Sequence, residues 1–380
     1  MRWVGTVVAG AVTLWLLLAY GSANVGRILS TEVGWHADLE TFHRSAQALL
    51  HGQPIYDTGA HLVNLNPPVW TVLFAPFGLL EPLAAYWVFA VITAILVLGS
   101  GYLVARELNA PKWLALAAMA LSSPFMGTVA VGQIYGVLTA GLTWSWLAAR
   151  RHNTGQAGIA LGLVIALKPT LAPLLLLPIA QRRWPTLKAA LATTIGATLV
   201  GLATGPSQTW RWIEVLRHEP LSTFGDNASL PSLAARLGLP AWAGFLAGAV
   251  ILAITYKRVR QDTPQALWAL TAATLLFSPV AWHNYLVLCF PGVFVVLHQR
   301  RFATASFLLT LPLIGVEWGM HLFKGGTLLD HIGSSLYCFV LVSWLTALSS
   351  VQDDRDDPGQ VRQAGDLGGT EHRAARAADQ

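Results

Sequence analysis

The sequence predicts an all-α polytopic membrane protein of about 11–13 transmembrane helices with a long first extracytoplasmic loop. Three observations carry that prediction. Apolar residues make up 54% of the 380 and charged residues only 11%, whereas a soluble chain carries about a quarter charged residues. The mean hydropathy is +0.53. The apolar residues are also gathered into runs, many near the roughly 20 residues that cross a bilayer as a helix. Lipid is the solvent for such a chain.

The first apolar run, 3–20, reads as an uncleaved signal anchor, because Met1-Arg2-Trp3 precedes it and many spans follow. Runs at 83–105, 113–129, 133–149, 189–205, 241–256, 265–281, 284–298, 302–318 and 332–350 are expected to cross. Those at 67–80, 156–167 and 169–181 are short, which predicts broken, tilted or re-entrant helices. Such backbone survives at membrane depth only when buried in protein or lining a cavity. Many of the 16 tryptophans sit near run ends (Trp15, Trp70, Trp87, Trp113, Trp144, Trp242, Trp268, Trp344) and are expected to anchor at the interface. Cys289 and Cys338 lie inside apolar runs without disulfide or metal-ligand spacing, so packing or lipid contact is their expected role.

Basic clusters give the orientation. Arg150-Arg151, Arg182-Arg183 with Lys188, Lys257-Arg258 with Arg260, and Arg300-Arg301 should be cytoplasmic. Loops 21–66, 206–240 and 319–331 then fall outside. Arg106 and Lys112 also look cytoplasmic, which requires that 67–80 fail to cross fully or that a short span be miscounted. Residues 1–350 form one polytopic membrane domain. The last stretch, 351–380, holds seven acidic and four basic residues and reads as a disordered cytoplasmic tail. Basic charge elsewhere is dispersed between apolar runs as orientation signals, so no nucleic-acid partner is expected.

Polar residues gather in segments that should converge outside. In the first loop, Trp35-His36-Ala37-Asp38-Leu39-Glu40-Thr41-Phe42-His43-Arg44 is ionisable and helical in pattern. Asp38, Phe42 and Ser45 would share one face. Asp38 is a candidate catalytic carboxylate, a helix N-cap, or both. Asn66 precedes Pro67-Pro68 and is a natural cap as well as a candidate ligand. Gly132-Gln133-Ile134-Tyr135-Gly136 interrupts two spans, and Gln133 there needs a partner. Ser278-Pro279-Val280-Ala281-Trp282-His283-Asn284-Tyr285 puts more polar side chains into an apolar hairpin than a turn requires. Lys168, before Pro169, is the strongest anomaly: a lysine within apolar sequence is expensive and is a candidate anion ligand or a snorkelling residue. Outside the acidic tail, which holds Asp354-Arg355-Asp356, neither an Asp-x-Asp metal motif nor a Gly-rich phosphate loop is present, so no metal and no cofactor is expected.

These segments, in this order, resemble glycosyltransferase family 87, the polyprenyl-phosphate-mannose-dependent α-mannosyltransferases of the C-type superfamily. The resemblance rests on Asp38-Leu39 to Phe42, His51-Gly52-Gln53-Pro54-Ile55-Tyr56, Asn66-Pro67-Pro68 and Gly132-Gln133. It continues through Leu167-Lys168-Pro169, Asn227-Ala228-Ser229-Leu230 with Arg236, and Ser278-Pro279 to Trp282-His283. It departs from the pattern at Tyr135, where a polar residue is expected.

The resemblance implies a C-type glycosyltransferase fold in the plasma membrane with its active site on the extracytoplasmic face. It implies transfer of a hexose, expected to be mannose, from a polyprenyl-phosphate donor to a glycolipid or glycan acceptor of the cell envelope. Inversion needs one carboxylate near the acceptor hydroxyl, since a phosphate leaves without a general acid. Asp38 would be that base. Lys168, His283 and Arg236 would bind the donor phosphate, and Asn66, Gln133, Asn227 and Asn284 the sugar or acceptor. The rival class is a membrane transporter or lipid flippase, which fits the broken helices and Lys168 but not the long polar first loop.

Overall fold

The computed structural model describes residues 24–317 and 322–350, and the regular elements among them are helical, with no strand. The expectations for the signal anchor and the acidic tail lie outside the described residues. The first polar loop folds chiefly as α1 (Ala37–Leu50). Its apolar stripe, Leu39, Phe42 and Ala46, recurs at helical spacing and is buried. Phe42 meets Trp70 at 5.5 Å and Phe74 at 5.8 Å between ring centroids. Both belong to α2 (Pro68–Phe74), which Pro68 opens at a position where a missing N–H costs nothing. A 3-10 stretch (Ala75–Leu79) ends the run.

Residues 68–79 reach only about 18 Å as a helix, short of a hydrocarbon layer about 30 Å thick. They do not cross alone. The first long span after the loop is α3 (Pro82–Glu107). Its last residue, Glu107, pairs with Arg150 at 3.8 Å and Arg151 at 3.2 Å. Arg106 and Lys112 therefore lie at the same end as the other basic clusters, as the orientation rule requires.

Several runs expected to be continuous are bent. Residues 113–129 become α4 (Trp113–Ala120) and α5 (Ser123–Val131), 52° apart. Pro124 sits in the first turn of α5, and Ser122 caps it by accepting from the Phe125 amide. The chain returns through α6 (Tyr135–Arg150). The helix α7 (Thr154–Leu167) then stops at Lys168, whose φ of −143° is non-helical. Pro169 disfavours helical backbone in the residue before it. The chain resumes as a 3-10 stretch (Pro169–Leu175) and α8 (Leu176–Ala180). The two short runs, expected to be broken, tilted or re-entrant, are thus separate helices that form a hairpin broken at Lys168.

The hairpin is held by α9 (Trp184–Leu202). Gly158 and Gly162 let the two backbones approach, since a Cβ on either would strike the α9 main chain. The second loop carries α10 (Pro206–His218) and α11 (Leu230–Arg236). Then come α12 (Ala241–Arg258), α13 (Ala266–Phe277), a 3-10 stretch (His283–Gly292), α14 (Val293–His298) and α15 (Phe302–Thr310). The last run is a pair, α16 (Leu328–Ser334) and α17 (Leu336–Ser349), bent by 57°. By length and composition α3 and α9 can each cross a membrane, as can each bent pair taken as one span; shorter apolar helices make up much of the rest.

Burial corrects part of the tryptophan reading. Trp113 and Trp242 are exposed as anchors should be, but Trp70, Trp268 and Trp344 are core residues. Cys289 and Cys338 are buried packing residues.

Polar contacts separate the two ends of the bundle. At the basic end, Gln181 donates to the Val259 carbonyl at 3.1 Å, Arg183 pairs with Asp262, and Arg301 donates to the Ala347 carbonyl at 3.0 Å. The other end is where α3 begins, beside the His43 contact to Leu80 O. It gathers Asp38, Asn66 and Lys168.

Candidate functional site

Lys168 Nζ lies 3.4 Å from Asn66 Oδ1 and stands over the faces of Tyr135 and Tyr285, at 5.9 Å and 5.7 Å from their centroids. Those two rings are 3.9 Å apart. Aromatic faces attract a cation through their quadrupole without using its N–H donors, which stay available for an anion. Asn66 is itself fixed: its amide nitrogen atoms, main chain and side chain, approach Asn64 Oδ1 at 3.0 Å and 3.4 Å. Its carbonyl accepts from Tyr56 Oη at 2.8 Å. Asn64 in turn donates to Ser45 Oγ on α1 at 3.0 Å. The order Asn64-Leu65-Asn66 before Pro67 thus ties the lysine to the helix that carries Asp38.

Asp38 stands in the first turn of α1, two residues beyond the N-cap His36, and is not the cap. It is half-buried. Shielding from water pushes its pKa up to about 6, while the Lys168 charge and a hydrogen bond from Gln133 pull the other way. A carboxylate so placed is mostly ionised at neutral pH yet basic enough to take a proton.

Two contacts fix Asp38. The His36 ring stacks on Tyr86 at 3.4 Å, and its Nδ1 is 2.6 Å from the Ala130 carbonyl. Gly132 ends α5 with φ +74°, and a Cβ there would lie 2.6 Å from Leu39 Cβ. Only glycine permits that approach and the left-handed turn, and the next residue is Gln133.

His283 sits in a neighbouring cluster. Asp226 Oδ1 accepts from the His283 amide at 3.0 Å and pairs closely with its Nδ1. A Cβ on Gly127 would lie 2.8 Å from Nε2, so that side of the ring has no space for a side chain. Asn284 is buried, and its Oδ1 has no partner among the described residues.

Asn227 and Arg236 differ from what the sequence suggests. Asn227 Nδ2 donates to the carbonyls of Ser222 and Pro279, and Oδ1 accepts from the amides of Ser229 and Ala281. The Arg236 guanidinium donates to Ser335 Oγ at 2.9 Å, Phe224 O at 2.8 Å, Ser232 Oγ at 2.7 Å and Asn227 O at 3.0 Å. Both are buried. These polar atoms bond to the chain itself: Asn227 ties the second loop to Pro279 and Ala281, and Arg236 ties α11 to Phe224, Asn227 and Ser335.

Three further residues carry no role in the sequence reading. Tyr285 and Asn64 stand in its polar segments, and the structure puts Tyr285 against Lys168 and Asn64 between Asn66 and Ser45. Asp226 lacked any motif signal beyond its place next to Asn227.

Lys168 borders a cavity of about 240 Å³ whose walls include Leu65, Trp212, Leu216, Phe245 and Val280. The walls are largely apolar, with the Lys168 ammonium and the Glu219 carboxylate as the charged groups, a lining that suits an amphiphile whose anionic head meets the ammonium. Among the described residues, no group of three or more His, Cys, Asp or Glu is placed to hold a metal ion. The arrangement offers a base, a hydrogen-bonding amide beside it and a cation across the site, which suffices for displacement of an anionic leaving group by a hydroxyl.

The model of glycosyltransferase family 87 matches residues 64–279. A polyprenol-phosphate-mannose-dependent alpha-(1-2)-phosphatidylinositol mannoside mannosyltransferase of Mycobacterium tuberculosis is 28% identical over 339 residues, 78% of this chain and 79% of that protein. An alpha-(1->3)-arabinofuranosyltransferase of Corynebacterium glutamicum is 26% identical over 286 residues, 69% of this chain and 68% of that protein. Among solved structures, ArnT from Cupriavidus metallidurans bound to undecaprenyl phosphate gives a TM-score of 0.41 at 15% identity, covering 92% of this chain and 77% of that one.

Proposed function

The chain belongs to glycosyltransferase family 87, and we propose that it transfers mannose from a polyprenyl-phosphate donor to a glycolipid or glycan of the cell envelope. The observation that carries this reading is that Lys168 lies near enough to Asp38 for its charge to act on the carboxylate, and itself borders a largely apolar cavity. That site lies at the end of the bundle opposite the basic clusters, and the positive-inside rule supports an extracytoplasmic reading of that end. Mannose takes first place because the match to the mannosyltransferase runs over more of the chain than the match to the arabinofuranosyltransferase.

The reaction is a single displacement. The acceptor hydroxyl oxygen attacks the anomeric carbon from the face opposite the phosphate. The carbon–oxygen bond to phosphate breaks with its electron pair, so the polyprenyl phosphate leaves as an anion and the configuration inverts. The hydroxyl proton passes to Asp38. Lys168 faces the phosphate charge as it grows, which stabilises the transition state more than the ground state. Gln133 hydrogen-bonds Asp38 and holds it toward the acceptor. Asn284 Oδ1 is the buried acceptor left over for a sugar hydroxyl.

Membranes containing the protein, incubated with radiolabelled polyprenyl-phosphate mannose or polyprenyl-phosphate arabinofuranose, test the proposal. Consumption of the mannose donor, with label appearing in glycolipid or glycan, is expected. Consumption of the arabinofuranose donor alone would move the sugar assignment to a pentose. Consumption of neither, with well-folded protein, would overturn glycosyl transfer from a lipid phosphate and favour a transporter.

A further inference from the structure

The reverse side of α1 borders a second and larger cavity, about 1000 Å³, in which neither Asp38 nor Lys168 takes part. Its lining includes Glu40, His43, Arg44, Gln47, Gln53 and Thr58. Glu40, His43, Arg44 and Gln47 fall at i, i+3, i+4 and i+7, a single stripe away from the buried Leu39, Phe42 and Ala46. The side chains here divide into two groups. The charged ones are neutralised locally: Arg44 pairs with Glu40 at 2.8 Å, and Asp57, also in the wall, pairs with Arg211 at 2.8 Å. The neutral ones, from the buried His43 to the exposed Gln53, keep polar atoms unused. His43 uses Nε2 on the Leu80 carbonyl at 2.9 Å, which leaves Nδ1 as an acceptor. The side chains of Gln47, Gln53 and Thr58 have no hydrogen-bond partner among the described residues.

We infer that this cavity is a glycan-binding subsite for a neutral oligosaccharide, holding the acceptor away from the reacting hydroxyl. A wall with several free donors and acceptors and no unpaired charge matches a chain of sugar hydroxyls better than an anion or a cation. The size matches too: it is the scale of a ligand pocket that takes several rings. Position supports the link to catalysis. Asp57 also lines an adjoining cavity of about 440 Å³, and Glu219 lines both that one and the cavity at Lys168. The three spaces therefore share walls from the back of α1 to the lysine. The link to the acceptor rests on the proposed glycosyl transfer; the binding of a neutral glycan does not.

The test separates the two. Saturation-transfer NMR on the full chain in nanodiscs, using Asp38→Asn to prevent turnover, compares linear α-mannohexaose with methyl α-mannoside. The hexaose is expected to bind at least tenfold tighter. Gln47→Ala should weaken hexaose binding about tenfold, the scale of one or two hydrogen bonds. Gln53→Ala is an exposed-site variant that leaves the core alone and should weaken it several-fold. Equal binding of the two sugars, no effect of either variant, or tighter binding of a sulfated hexasaccharide would overturn the subsite. Hexaose binding lost on Gln47→Ala, together with a protein carrying the native Asp38 that consumes no polyprenyl-phosphate mannose, would support the subsite and reject the mannosyl transfer.

Discussion

Replacing Lys168 with methionine removes one ammonium from the site and little else. The unbranched stem and its packing survive, and Pro169 still breaks the helix. Asn66 Oδ1, now 3.4 Å from the ammonium, loses its partner but remains held through Asn64. A charge-assisted hydrogen bond to a phosphate contributes about 1.5–3 kcal/mol. The donor kcat/KM should therefore fall about 10- to 150-fold, partly in kcat because the phosphate charge grows as the sugar departs. A second effect distinguishes a cation in the site from one that merely anchors. The Lys168 charge holds the Asp38 pKa down from where shielding alone would put it. Without it Asp38 titrates above about 6, and the acid limb of the rate profile moves to higher pH. The assay is steady-state transfer from polyprenyl-phosphate mannose at a fixed acceptor concentration between pH 5 and 8. Unchanged donor kinetics with an unmoved acid limb would refute the reasoning and leave Lys168 as a snorkelling residue.

Other variants probe the supports. Gly132→Ala forces a Cβ at φ +74° to within 2.6 Å of Leu39 Cβ; it should lower stability by about 1–3 kcal/mol, read as melting temperature, and reduce turnover by displacing Gln133. Arg236→Met should cost about 1–3 kcal/mol of stability, because it removes the bonds to Ser232 and Ser335 and leaves the Asn227 carbonyl in the interior without the guanidinium; the KM for donor in surviving protein should stay near wild type. With Cys289 and Cys338 replaced by Ser, a cysteine at Thr58 should react with an impermeant thiol reagent in intact cells and one at Lys188 should not.

Much of this fold was legible because its signals are local. The short apolar runs at 156–167 and 169–181, divided by Lys168-Pro169, already point to a broken helix, since proline restrains the residue before it whatever the tertiary context. Bends such as that at Ser122 were not legible from hydropathy, because both halves are apolar and only the cap and Pro124 mark the joint. Asp38 and Lys168 stood out as ionisable residues where burial is expensive. Arg236 and Asn227 entered only through the family resemblance, which implied that they contact ligand. A buried polar side chain looks alike in sequence whether its partner is a ligand or a carbonyl of its own chain; only the coordinates distinguish the two. Trp268 and Trp344 likewise matched the pattern of interfacial anchors, but their rings are buried in the core.

The central claim is that Asp38 takes the acceptor proton, and the pH dependence of wild type against Asp38→Asn tests it most directly. Transfer by the wild type should fall as pH drops below about 6, since the carboxylate that must be ionised becomes protonated there. Asp38→Asn should be about 10²- to 10⁴-fold slower and lack that limb. It should also be folded. The Asp38 pKa is raised on folding, from 3.8 to about 6, so its ionisation works against the folded state as pH rises through that window, by at most about 3 kcal/mol above it. Asparagine removes that cost, and the melting temperature at neutral pH should hold or rise. A well-folded Asp38→Asn protein that turns over near the wild-type rate, or that keeps the same acid limb, would contradict the assignment.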